Sequence, residues 1–365
     1  MNDFQDIPNA SSNPELERLG FSPPVAQALA HVGEGDDARV FRVVRAAADG
    51  CIVRGATGLT SVRVPKKQWS RQPPVVGDWI VAHPVRGDLL LRHILPRATS
   101  ITRRAAGSDH RGHVLAANVD AVLLCMGLDQ NFRLARLERW LSLAHEGGAT
   151  PIVVLTKAGQ VDEETLTARV RACRAAALGV EVVAIDVIDG IGCDALDQVL
   201  RHDLPRFHTI ALLGSSGVGK STLLNHLSGD ALLETRAISA STGKGRHTTS
   251  HRELFELPAR RLLVADTPGL REVGVWGDAH GIDTTFADLV EVGIRCRFRD
   301  CAHRGEPGCA IEAGLEAGTL DARRVDSWLA LQDEQRRTAS RASERERRAE
   351  ARILSRRIRA AKSRR

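Results

Sequence analysis

The sequence predicts a multidomain α/β chain, and three observations carry that reading. Short β-type runs separated by Gly and Pro fill residues 38–97, apolar strands alternate with helical segments from 119 to 269, and 296–309 gathers three cysteines and a histidine. At 365 residues the chain is long enough for two or three domains, each with its own core.

The first 35 residues are rich in Pro, Asn, Ser and Gly and read as a flexible leader with one short helix. Within 36–100, runs at 39–44, 50–54, 61–64, 76–82 and 89–95 are punctuated by Gly58, Pro65, Pro73, Pro74 and Gly87. Short strands at that spacing suit a small OB-type β-barrel. Such barrels offer a surface for single-stranded nucleic acid, but function has to be argued from a site. Trp69 and Trp79 read first as core residues, with stacking on bases as the alternative.

Residues 101–278 read as the second domain. Strands are expected at 119–126, 151–155 and 180–185, each followed by a helix, at 133–145, 165–178 and 194–200. A further apolar run, Ile210, Ala211, Leu212 and Leu213, leads into Gly214, and strands are expected again at 253–257 and 261–265. Such alternation predicts a mainly parallel, doubly wound sheet with ligands at the carboxyl ends of its strands.

The motifs fall at those ends. Gly214, Ser215, Ser216, Gly217, Val218, Gly219, Lys220, Ser221 and Thr222 form G-x-x-x-x-G-K-[ST] between a strand and a helix. Glycines there let successive backbone N–H groups face phosphate oxygens, and the helix N-terminus adds its positive dipole end. Lys220 would neutralise the β/γ-phosphates and Ser221 would offer its hydroxyl to Mg²⁺. Asp266 opens DTPG, ending at Gly269, where a further Mg²⁺ carboxylate belongs. Thr156, Lys157, Ala158 and Gly159 follow a strand as a base-reading loop of the [NT]-K-x-D type, yet precede the phosphate loop in sequence. In an ordinary GTPase that loop comes last, so the order predicts a circularly permuted P-loop GTPase domain.

Cys296, Cys301, His303 and Cys309 form C-x4-C-x-H-x5-C. Three thiolates and an imidazole suit a closed, structural, tetrahedral Zn²⁺ site, within a small α-helical domain at 279–335. Arg295, Arg297, Arg299 and Arg304 flank it and favour thiolates and phosphate contacts. Segment 290–315 otherwise has too few apolar residues to fold unaided. The other cysteines, Cys51, Cys125, Cys173 and Cys193, are scattered and read as ordinary thiols of a reducing compartment.

The net charge of +6 hides an asymmetry, because the basic tail at 336–365 holds 13 Lys/Arg against 3 Asp/Glu. A tail of this kind either stays solvated or binds nucleic acid through phosphates. No stretch approaches the 18 apolar residues of a membrane span, and the N-terminus lacks a signal-peptide pattern; a cytoplasmic protein is expected.

Together these residues resemble the circularly permuted ribosome-biogenesis GTPases of the RsgA (YjeQ) family. The matching stretches are VVGDWI at 75–80, ILPR at 94–97, AANVD at 116–120, GSSGVGKST, GRHTT at 245–249, DTPGL and CRFRDCAHRGEPGCA at 296–310. The resemblance covers roughly 38–335. It implies a monomeric cytoplasmic GTPase that takes GTP with Mg²⁺ and one structural zinc. It also implies that the protein binds the small (30S) ribosomal subunit and its 16S rRNA late in maturation, with hydrolysis stimulated there. In that frame 241–250 is a switch whose Thr248 or Thr249 completes the Mg²⁺ shell. Leu270 stands where Ras-type enzymes carry a water-orienting glutamine, so His247 is the candidate to position water, with an RNA or switch-packing contact as its other reading.

This chain departs from the family at the base-reading position, where Gly159 replaces the aspartate that accepts guanine N1–H and N2–H. Asp162, just beyond, reads as a helix N-cap. Weakened guanine selectivity is therefore expected, and two other readings stay open: an ATPase with relaxed base choice, and a ribosome-binding module with a weak nucleotide site.

Overall fold

The computed structural model describes residues 13–32, 38–47, 50–103, 113–202, 209–229, 253–266 and 280–340. Strands β1 (Arg39–Ala47), β2 (Gly50–Gly55), β3 (Gly58–Arg63), β4 (Trp79–Val85) and β5 (Asp88–Ile94) close a barrel in the order β1-β2-β3-β5-β4. β1 pairs antiparallel with both β2 and β4, and β3 lies parallel to β5, which is the OB arrangement. Phe41, Val43, Val53, Val62, Ile80 and Leu91 fill the barrel. A short helix, α3 (Lys66–Arg71), joins β3 to β4 and was not evident in the sequence.

Residues 13–32 correct the reading of a loose leader. They form helices α1 (Pro14–Arg18), capped by Asn13, and α2 (Pro23–Val32). Leu16, Leu19 and Phe21 are buried, and the Phe21 ring meets the Trp79 ring edge-on at 5.2 Å between centroids. Too few to form a core of their own, these side chains are ordered by the outer wall of the barrel. Trp79 is 1% exposed, so it is a packing residue and not a stacking platform; Trp69 is half-buried.

Next comes a hairpin, β6 (Ser100–Arg103) with β7 (His113–Ala117), also missed because its strands are short. The central sheet then contains β8 (Ala121–Gly127), β9 (Thr150–Thr156), β10 (Glu181–Ala184), β11 (Thr209–Gly214), β12 (Glu253–Leu257) and β13 (Leu262–Asp266). Its order is β10-β9-β8-β11-β13-β12, parallel except for the antiparallel edge strand β12. Alternation along β8 shows why the fold is doubly wound. Val122, Leu124 and Met126 pack on one face with Leu137, Trp140 and Leu141 of α4 (Leu134–Glu146), while Ala121, Leu123 and Cys125 face the other. That other face is covered by Leu196 and Leu200 of α6 (Cys193–His202) and by Leu223, Leu224 and Leu227 of α7 (Lys220–Ser228). Helix α5 (Glu163–Ala176) is capped by Asp162, whose carboxylate accepts the Thr165 N–H at 2.7 Å, as its position in the sequence predicts.

Barrel and sheet are joined by backbone packing that accounts for three of the sequence stretches. A Cβ on Gly77 would lie 2.1 Å from the Ala117 carbonyl oxygen, and φ there is +87°. The Asn118 amide donates to the Gly77 carbonyl at 2.9 Å. Asp78, fully buried, accepts from Arg97 at 2.7 and 2.8 Å and from the Val75 N–H at 2.8 Å. Buried Arg42 donates to the carbonyls of Leu19 and Asn118, tying the leader helices, barrel and hairpin together.

The C-terminal unit consists of helices His280–Thr285, Ala287–Gly293, Ala310–Glu316 and 322–340 around Phe286, Leu289, Ile311, Trp328 and Leu331. It docks on α4. Glu138, fully buried on α4, accepts from Arg323 at 3.0 Å and from Arg324 at 3.2 Å. Arg324 also bonds Asp288 at 2.7 and 2.9 Å and the carbonyls of Ala176 and Thr285. An ion cluster this buried holds only because nearly every donor has an acceptor. Of the basic tail, residues 341–365 lie outside the described residues.

Candidate nucleotide site and Cys/His cluster

The loops that follow β8, β9, β10 and β11 converge at one edge of the central sheet. Gly214 ends β11 in a tight fit, since a Cβ there would lie 2.5 Å from the Cys125 carbonyl oxygen. The chain then turns through Gly217 (φ +76°) and Gly219 (φ +94°) into α7, a left-handed path that exposes backbone N–H groups. Ser216, Gly217, Ser221 and Thr222 are exposed, and Ser215, Gly219 and Lys220 are half-buried. Val218 is buried and anchors the loop. The Lys220 ammonium folds back on the Gly214 and Ser215 carbonyls at 2.7 and 2.6 Å. Beneath the loop, burial pushes the Cys125 thiol up to about 12, so it is an inert packing residue.

The TKAG loop lies against this one. Thr156, the last residue of β9, donates its hydroxyl to the Val218 carbonyl at 2.6 Å. Lys157 takes the left-handed conformation (φ +65°), and its ammonium meets Asp129 at 2.7 Å. Desolvation pushes the Asp129 carboxyl up, but bonds from Lys157 and Asn131 outweigh it and hold it below 3.8. Ala158 is buried and donates its N–H to the Ile185 carbonyl at 3.1 Å. The Gly159 N–H donates to Asp186 at 3.2 Å. Asp266 ends β13, its backbone paired with Glu253.

The structure thus brings together the phosphate loop and the TKAG loop, with Asp266 on the strand next to β11. His247, Thr248, Thr249 and Gly269 lie outside the described residues. Sequence reasoning missed Asp129, Asp186 and Arg136, which donates from α4 to the Ser215 hydroxyl at 2.7 Å. The first two follow strand ends, and that position was the available signal.

In the C-terminal unit the ligand atoms of Cys296, Cys301, His303 and Cys309 all lie within 4.8 Å of one another. Cys296 Sγ and Cys309 Sγ each stand 3.5 Å from His303 Nδ1. Tetrahedral Zn²⁺ with ordinary Zn–S and Zn–N bonds sets that separation at roughly 3.6 Å, so the donor set fits the ion. Glu306 shapes the loop by accepting the Ala302 and Arg304 N–H groups at 2.9 and 2.6 Å, which hold its carboxyl down to about 2. The His303 ring stacks on Trp328, carrying the cluster's position into the helical core. Arg295, Arg297, Arg299 and Arg304 are exposed around it, with Arg297 over the ring of Phe298.

A phosphate loop at the end of β11, with a TKx-type loop beside it that comes earlier in the chain, defines a circularly permuted P-loop nucleotide-binding protein. Comparison with known proteins makes the assignment specific. A model of the RsgA GTPase family matches residues 94–276, and one described as 50S ribosome-binding GTPase matches 209–352. The small ribosomal subunit biogenesis GTPase RsgA of Streptomyces coelicolor is 39% identical over 345 residues, covering 92% of this chain and 91% of that one. Its namesake in Opitutus terrae is 43% identical over 281 residues, covering 73% and 74%. Among solved structures, YjeQ from Thermotoga maritima superposes with a TM-score of 0.60 at 23% identity, over 80% of this chain and 97% of that one. YloQ, a circularly permuted GTPase, gives 0.57 at 24% identity, over 82% and 96%. The chain belongs to the RsgA GTPase family and is a GTP hydrolase.

Proposed function

We propose that this GTPase acts in late maturation of the small ribosomal subunit, hydrolysing GTP to GDP and phosphate while bound to the subunit and its 16S rRNA. The relatives' names support the subunit assignment. The observation that favours a stimulated enzyme is helix α4, which touches both halves of the machinery. Its Arg136 bonds Ser215 of the phosphate loop, while Glu138 and Arg139 are held by Arg323, Arg324 and Glu334 of the C-terminal unit. In this reading, contacts made at the exposed arginines around the Cys/His cluster are relayed toward the phosphate loop through α4.

In this reading Gly214 to Thr222 cradle the phosphates, Lys220 neutralises them, and Ser221, Asp266 and Thr248 or Thr249 serve Mg²⁺. Gly269 closes the switch motif, Thr156 to Gly159 line the base side, and His247 positions water. Cys296, Cys301, His303 and Cys309 hold one structural zinc. The protein works as a cytoplasmic monomer, and its basic tail adds salt-sensitive contacts to RNA phosphates.

The test is GTP turnover by the full-length protein with and without saturating small subunits. Turnover should be slow alone and accelerated on the subunit, and His247→Ala should lose the accelerated part while still binding GTP. Equal rates in both conditions would exclude stimulation. Acceleration that survives His247→Ala would assign water positioning to another group.

A further inference from the structure

Gly159 leaves the TKAG loop without its own carboxylate, but the site does not lack one. A Cβ built on Gly159 would meet Asp189 Oδ2 at 2.5 Å, with Asp186 Oδ2 and Ile191 Cδ1 each at 3.3 Å. Within an aspartate, Cβ and each carboxylate oxygen are roughly 2.4 Å apart. Asp189 therefore holds an oxygen as far from that Cβ position as the missing side chain's own oxygen would be. We propose that Asp189 is the guanine-reading carboxylate of this GTPase, supplied from the loop after β10. The inference rests on the reading of the TKAG loop as the base side of the nucleotide site.

Asp186 is poorly placed for this role, because it is buried and each of its oxygens already accepts a backbone N–H. Oδ2 accepts the Gly159 N–H at 3.2 Å and Oδ1 accepts the Ile188 N–H at 3.0 Å, with the residue only 4% exposed. Its backbone N–H also bonds the Ile191 carbonyl at 2.8 Å. Asp186 is thus the positioning residue that fastens the 186–191 loop to the TKAG loop. Asp189, at the tip, is exposed and has no hydrogen-bond or ion-pair partner among the described residues. Ile188 and Ile191 flank it at 81% and 43% exposure, so the carboxylate stands between two uncovered aliphatic side chains. A planar heterocycle with N–H donors on one edge is the ligand that uses both features.

The chemistry selects guanine. Its N1–H and N2–H donate to a carboxylate, forming charge-assisted bonds. Adenine presents the unprotonated N1 at that edge, and the two acceptors repel. On this account Gly159 provides the space that Asp189 occupies, and guanine selectivity is retained where the sequence alone predicts it weakened. Gly159→Asp in the native background would then push Asp189 aside and give no gain.

The test is calorimetric titration of GTP, ATP and XTP with Mg²⁺ into full-length wild type, Asp189→Ala, Asp189→Asn and the double variant Asp189→Gly/Gly159→Asp. Wild type should prefer GTP to ATP. Asp189→Ala should weaken GTP roughly 10- to 150-fold and leave ATP unchanged. Asp189→Asn should gain XTP, whose C2 carbonyl accepts from an amide where the guanine amino group donated to a carboxylate. The double variant should recover GTP. A GTP/ATP ratio near unity in wild type, an unchanged ratio in Asp189→Ala, or no gain of XTP in Asp189→Asn would overturn the proposal and leave the nucleotide site standing. Wild type that binds none of the three would overturn the site itself.

Discussion

Thr156 Oγ1 donates a 2.6 Å hydrogen bond to the Val218 carbonyl, joining two motifs that lie 62 residues apart and in reversed order along the chain. In space nothing is reversed. β8 runs between β9 and β11, so the loops at their carboxyl ends meet above it. Permutation moves the chain ends and leaves the strand neighbours unchanged.

That bond should matter more than its size suggests, because Val218 is 1% exposed and its carbonyl would lose this donor. Thr156→Val should cost about 1–3 kcal/mol of stability and weaken GTP binding. Thr156→Ser, which keeps the hydroxyl, should stay near wild type. Urea unfolding and GTP titration of both variants decide it, and equal behaviour of Val and Ser would remove the bond from the account.

Lys220→Ala should lower GTP turnover by at least ~10²-fold, because the transferred phosphoryl group depends on a fixed positive charge. The fold should survive. The Lys220 ammonium bonds the Gly214 and Ser215 carbonyls of the loop itself, and the loop stays anchored by buried Val218. Single-turnover hydrolysis, with circular dichroism to verify folding, measures the loss. Wild-type turnover in the folded variant would exclude the phosphate loop from the chemistry.

Cys301→Ser should release zinc and loosen segment 296–309 while unstimulated hydrolysis persists. The reason is spatial separation of roles: the cluster packs on Trp328 through His303, and α4 stands between its helical unit and the phosphate loop. Elemental analysis should find stoichiometric zinc in wild type and none in the variant. Metal-free wild type that melts like the metal-loaded protein would refute a structural ion.

Acid should loosen the packing of two helices within the C-terminal unit. Partial burial pushes the Asp288 carboxyl up, but the paired bonds from Arg324 prevail and hold it below its ordinary 3.8. A carboxylate lowered in the folded state contributes stability that is fully present above the unfolded value, and that is lost as pH falls through the folded one. The stability gap between wild type and Asp288→Asn should thus be constant above pH ~5 and close below pH ~4. Chemical denaturation across that range tests it; a gap that widens in acid would reverse the sign.

The sequence by itself determined what depends on local pattern. Strand and helix periods, glycines where the phosphate loop turns left-handed, the Asp162 cap and the cysteine spacing are each written within a few residues, because backbone sterics and metal geometry act at that range. Tertiary structure decided what depends on neighbours distant in the chain. The leader became α1 and α2 because a shared core was there to take Leu16, Leu19 and Phe21, with the Phe21 ring against Trp79 of the barrel. The ion cluster at Glu138 exists because α4 meets a helix whose Arg324 is 186 residues away. Gly159 reads as a lost carboxylate along the chain, yet the fold sets Asp189 beside it, since strand pairing of β9 with β10 places their two end loops side by side.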